Sequence, residues 1–67
     1  MEYQVFLDSD DSYLGDFSDP ESLPEGEMLP LTIGGVEKIY VIIRSRSRMS
    51  IQNGKMYDGS LWVKRWD

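Results

Sequence analysis

Lys38-Ile39-Tyr40-Val41-Ile42-Ile43 is the stretch whose reading decides the fold. It is β-branched and apolar on both faces, which is the composition of a strand covered on both sides. It predicts the central strand of a small sheet. Its apolar core, Ile39 to Ile43, is the longest apolar run and far too short to span a bilayer.

Alternation continues beyond it, with Arg44, Arg46, Arg48 and Ser50 on one side and Ser45, Ser47, Met49 and Ile51 on the other. At about 3.3 Å per residue, a straight strand from Val36 to Gln52 would exceed the width of so small a domain. The chain is therefore expected to bend or break near Ser45 to Ser47. Asn53-Gly54 is a hairpin signal, and Asp58-Gly59, close behind it, reads as a bulge or corner. Leu61 to Trp66 reads as a last strand.

Before the central stretch, Gly34-Gly35 supplies a tight turn. Met28 to Ile33 forms a strand that Pro30 places at a sheet edge. Glu2 to Leu7 reads as a first strand, with Tyr3, Val5 and Leu7 on one side and Phe6 on the other. Between them, Asp8 to Gly26 is rich in Asp, Ser, Gly and Pro and reads as a long loop. Ser18-Asp19-Pro20-Glu21 has capping-box spacing and suggests one helical turn, which Pro24 stops from growing. Tyr13, Leu14, Phe17 and Leu23 are expected to pin this loop to the domain. The fold class that follows is mainly β. It is a small antiparallel sheet or partly closed barrel of four to five strands, with a long acidic loop over about residues 8–27 and at most one helical turn.

The 67 residues permit one domain, 1–67, and one small core. With no cysteine and no histidine, the chain has neither disulfides nor the commonest transition-metal ligands. Two Trp, four Tyr and two Phe must supply most of the core, or a partner subunit must help. Met1-Glu2-Tyr3-Gln4 has no basic region leading into an apolar run, so a soluble cytoplasmic protein without a membrane partner is the expectation.

Net charge is −5, but its arrangement is more telling. Residues 1–33 carry nine acids and no base, while residues 34–67 carry all seven bases and three acids. Such a split points to charged partners.

Asp8, Asp10, Ser12, Asp16 and Asp19 fall on ligand positions of a calcium-loop frame, but Tyr13 stands where that loop needs glycine. No metal or other cofactor is expected. Carboxylates in a polar loop have nothing to set one pKa apart from another, and no histidine activates a serine. The residue inventory specifies no catalytic site, and the expectation is a binding protein rather than an enzyme.

Two surfaces could bind. Arg44, Arg46 and Arg48 share a face if extended, as do Trp62, Lys64 and Trp66. A cationic stripe beside aromatic platforms is how small sheets hold single-stranded nucleic acid, and this is the alternative reading. The blander account makes the tryptophans core or dimer-interface residues and the arginines a solvated face.

The acidic surface is Asp8, Asp10, Asp11, Asp16, Asp19, Glu21, Glu25 and Glu27. Alternate carboxylates on an extended chain are about 6–7 Å apart, comparable to neighbouring phosphates. In size, acidity, β content and lack of cysteine the chain resembles the small acidic DNA mimics of phages. These include uracil-DNA glycosylase inhibitors, antirestriction proteins and some anti-CRISPR proteins. The resemblance implies a phage-encoded inhibitor that presents phosphate-like charge to a basic nucleic-acid-binding protein of the host. A homodimer sharing sheet edges is the expected assembly. A structural subunit docking by strand addition is a further alternative.

Overall fold

A computed structural model of the chain describes residues 1–20 and 23–66. Seven strands follow in order: β1 (Glu2–Leu7), β2 (Tyr13–Ser18), β3 (Met28–Ile33), β4 (Val36–Arg46), β5 (Ser50–Gln52), β6 (Lys55–Tyr57) and β7 (Gly59–Arg65). Five of them form one curled sheet, a half-barrel in the order β2-β1-β7-β4-β3, and β5 and β6 form a separate hairpin. Among the described residues there is no helix, and hence none long and apolar enough to cross a membrane.

Alternation explains the core. Tyr3 and Val5 of β1, Leu29 and Leu31 of β3, Tyr40 and Ile42 of β4, and Leu61 and Val63 of β7 point to one face and are buried there. Val5, Leu61 and Val63 are completely enclosed. Leu7, Leu14, Phe17 and Leu23 pack around the margin. Fully burying a side chain of this size stabilises the fold by about 1.5–3 kcal/mol, so this face carries most of the stability.

The turns form where the glycines predict them. Gly34 and Gly35 take φ of 60° and 80°, and Asn53 and Gly54 take 53° and 78°. Two successive left-handed residues make the turn whose twist suits a two-residue hairpin. Pro30 lies in β3, an edge strand, where a missing N–H costs no ladder bond. β4 ends at Arg46 and β5 begins at Ser50, so the break falls beside the expected Ser45 to Ser47. Asp58 is the corner that passes the chain from the hairpin to β7.

Three expectations need correction. The central strand is β7, not the stretch Lys38 to Ile43, which lies one place off centre in β4. β7 takes that place because it pairs parallel with β1 on one side and antiparallel with β4 on the other. Parallel pairing of the first and last strands leaves no mark on local alternation. Secondly, the segment 8–27 is not one loop: Tyr13–Ser18 is β2, paired antiparallel with β1. Gly15 and Asp16 dilute its alternation, and the ladder to β1 supplies what propensity does not. Thirdly, Ser18 closes β2 and neither Asp19 nor Pro20 is helical, while Glu21 and Ser22 lie outside the described residues.

Two bulges shape the other face. In β2, Val5 pairs with Gly15 but Phe6 pairs with Tyr13, so Leu14 is extra. In β4, Ile42 pairs with Val63 but Arg44 pairs with Trp62, so Ile43 is extra. An extra residue reverses the facing of everything beyond it. Even-numbered residues of β4 thus point into the core at Tyr40 and Ile42, and outward at Arg44 and Arg46.

Candidate functional site: the outer sheet face and its acidic rim

The two bulges lie at one level of the sheet and create a single row across four strands, Tyr13–Phe6–Trp62–Arg44, on the face away from the core. Side chains in register on adjacent strands stand close enough to touch. Phe6 and Trp62 stack with ring centres 5.5 Å apart and planes 23° from parallel. Tyr13 tilts against the other side of Phe6, also at 5.5 Å. The Arg44 guanidinium lies 4.2 Å from the centre of the Trp62 ring. Trp62 is thus held between Phe6 and Arg44, and its Nε1–H donates to Asp11 Oδ1 at 3.0 Å.

Beside this row lies an open cleft of about 490 Å³, lined by Phe6, Asp11, Arg44, Ser45, Arg46 and Trp62. The arginine and tryptophan sets are only partly united there. Arg44, Arg46 and Trp62 meet, and Lys64 follows two residues on from Trp62 on the same face of β7. Arg48 lies beyond the end of β4. Trp66 lies beyond β7, 64% exposed, beside a separate hollow of about 240 Å³ with Lys38, Ile39 and Arg65. Neither Arg46 nor Arg48 forms an ion pair among the described residues.

The acids fall into two groups. Asp16 belongs to a network no sequence signal announced. Lys55 Nζ lies 2.7 Å from Asp16 and 3.2 Å from Glu2, and the Tyr57 hydroxyl donates to Asp16 at 2.9 Å. The Tyr13 hydroxyl also donates to Asp16, and Ser18 Oγ donates to Glu2 at 2.7 Å. These contacts clasp the β5–β6 hairpin to β1 and β2. Tyr57 is buried by the clasp, outside the main core. Hydrogen bonding to Lys55 holds Asp16 below the usual carboxylate range; bonds from Ser18 and then Lys55 do the same for Glu2. Lys55 is raised in turn, chiefly by Asp16. Lys55 and Tyr57 reach Asp16 from 39 and 41 residues away in sequence, which is why reading along the chain missed the network.

Five of the remaining acids, on two turns, form a rim. Asp8 N–H donates to the Val63 carbonyl at 2.8 Å, extending the β1–β7 ladder. Ile42, paired with Val63, donates its N–H to the Glu27 carbonyl at 2.9 Å. Asp8 and Glu27 therefore lie within one residue of a common level, three strand positions apart around the curled sheet. The turns that carry Asp8, Asp10, Asp11, Glu25 and Glu27 flank the sheet from its two sides. Among the described residues none of these five has a cationic partner. Asp10 accepts from the Ser12 hydroxyl at 2.6 Å and from its N–H, and is lowered by them in that order. Asp19 is tied to the N-terminus: its N–H and carbonyl both bond Met1, away from the rim turns. Of the eight-residue acidic surface, five residues thus share the rim, Asp16 and Asp19 are engaged elsewhere, and Glu21 lies outside the described residues. No group of carboxylates arranged to hold a metal occurs among the described residues.

Comparison of the chain with protein-family models, with curated proteins and with solved structures gives no match.

Proposed function

We propose that the protein is a non-catalytic binding protein whose acidic rim docks onto a basic, nucleic-acid-binding protein and blocks it. One observation carries the reading. Two separate turns, flanking the sheet from its two sides, carry Asp8, Asp10, Asp11, Glu25 and Glu27, none of which has a cationic partner among the described residues, while Glu2 and Asp16 are paired. Unpaired charge of one sign steers association with a surface of the other sign, at the cost of sensitivity to salt. In this reading the rim is a phosphate surrogate and the protein an inhibitor of the DNA-mimic kind. It acts in the cytoplasm, the host's if the chain is phage-encoded. Open edges on β2 and β3 suit a homodimer.

The nucleic-acid-binding alternative is less well supported. Stacking a base needs a free ring face, and both faces of Trp62 are covered, one by Phe6 and one by Arg44. Asp11 also stands in the cleft, where it weighs against a continuing run of phosphates.

The test is capture of partners on the tagged chain, followed by challenge with duplex DNA and with salt. Release of a basic nucleic-acid-binding protein by both, and its loss with D8N/D10N/E25Q/E27Q, is the expected result. Direct retention of a labelled single-stranded oligonucleotide, abolished by Arg46→Glu, would overturn it in favour of the alternative. Capture unaffected by DNA, salt or the quadruple variant would favour docking by strand addition.

A further inference from the structure

Apart from the acidic rim, the cleft beside Trp62 presents an arrangement that the inhibitor reading leaves unused. In a chain with twelve acids and seven bases, an exposed arginine is expected to find a carboxylate. Among the described residues, Arg44 and Arg46 do not. Both point outward from β4 into the same cleft, their Cα atoms about 6–7 Å apart along the strand. Asp11 lines that cleft too, yet its carboxylate takes the Trp62 indole N–H at 3.0 Å.

We propose that this cleft is a binding site for a single oxyanion, a phosphate monoester or a carboxylate, carried on a small apolar body. The Arg44 guanidinium is already oriented by its stack on Trp62, so little side-chain freedom is lost when its N–H edge meets an anion. Arg46 supplies the second fork. The ring edges of Phe6 and Trp62 form the apolar wall against which the body of the ligand lies. Asp11 fixes the indole and sets an upper limit on the charge of the ligand: with two guanidiniums against one carboxylate, the cleft carries +1. A single anionic group neutralises it, whereas a continuing phosphodiester chain would run into Asp11 and the adjacent acidic turn. The cleft volume lies within the range of small-ligand sites, about 300–1,000 Å³. The site does not depend on the rim's having a protein partner.

Trp62 is also the reporter. The full chain labelled with ¹⁵N is titrated with inorganic phosphate, phenyl phosphate and benzoate at constant ionic strength, with chloride as control. The Trp62 indole N–H resonance is followed, and Trp66, outside the cleft, serves as internal reference. The expected result is a saturable shift of Trp62 alone, with Kd on the order of 1 mM or tighter. Phenyl phosphate or benzoate should bind more tightly than inorganic phosphate, and whichever is stronger identifies the source of the oxyanion. Arg46→Gln should weaken binding about tenfold, and Arg46→Lys should restore part of it. A shift equal to that in chloride, or undiminished in Arg46→Gln, would overturn the site. So would tighter binding of a single-stranded oligonucleotide than of phenyl phosphate, which would make the cleft part of a strand-binding groove.

Discussion

The Arg44 guanidinium lies 4.2 Å from the centre of the Trp62 ring because Ile43, the residue before it, is bulged out of the β4–β7 ladder. Deleting Ile43 would make the ladder regular while Ile42 still faces Val63 and Arg44 still faces Trp62, so Arg44 and Arg46 should stay on the outer face. A ladder that instead paired Ile43 with Trp62 would turn both guanidiniums into the core without partners, among the costliest changes a small domain can meet. The deletion is therefore expected to keep the folded state and its near-ultraviolet circular dichroism, and loss of that signal would show that the extra residue is needed for more than register. Ile43→Val, which keeps the count and most of the shape, should stay within about 1.5 kcal/mol of the parent in urea unfolding.

Trp62 is gripped on both faces and at its nitrogen, so it acts as a rib of the outer face. Trp62→Ala should destabilise by about 2–4 kcal/mol, below the range for a fully buried tryptophan at its upper end. Arg44→Gln removes only the cation over the ring and should cost about 0.5–1 kcal/mol. Equal losses for the two variants would show that the stack is not organised around the indole.

Gly59 starts β7 where β1 and β4 close on it from both sides. A Cβ there would stand 2.5 Å from the Arg46 carbonyl oxygen and 3.3 Å from Tyr3 Cε1. The carbonyl belongs to the backbone and cannot rotate away. Gly59→Ala is expected to cost about 1–3 kcal/mol, whereas the same change at Ser60 should be nearly silent. Thermal unfolding of the pair measures the difference.

The clasp at Lys55 predicts a pH dependence with a definite sign. Glu2 and Asp16 have folded pKa values below their unfolded ones, so their contribution is present above the unfolded carboxylate range and lost as pH falls through the folded values. Lys55 is raised, so its part is complete below its unfolded value and lost only as pH rises through the folded one, in strong alkali. Acidification should therefore free the β5–β6 hairpin, read as faster amide exchange in Lys55–Tyr57. Asp16→Asn should exchange rapidly there already at neutral pH. Unchanged exchange in this variant would show that Tyr57 packing alone holds the hairpin.

Read by itself, the chain determined its strands and turns, because pleat alternation and left-handed turn residues act over a few positions. Tyr3-x-Val5, Tyr40-x-Ile42 and Leu61-x-Val63 mark the core face, and Gly34-Gly35 and Asn53-Gly54 mark the hairpins. The acidic and basic halves were legible too, since charge is counted rather than folded. β2 was not, because Gly15 and Asp16 hide its alternation and its partner is β1. Only the tertiary structure decided the parallel β1–β7 pairing, the bulges at Leu14 and Ile43, and the clasp of Lys55 on Glu2 and Asp16. Each depends on residues far apart in sequence meeting in register. The sharpest case is the even-numbered run from Tyr40 to Arg46, where core residues and arginines share one parity. A straight strand cannot bury the first pair and expose the second, and the bulge at Ile43 resolves that conflict by making the outer face.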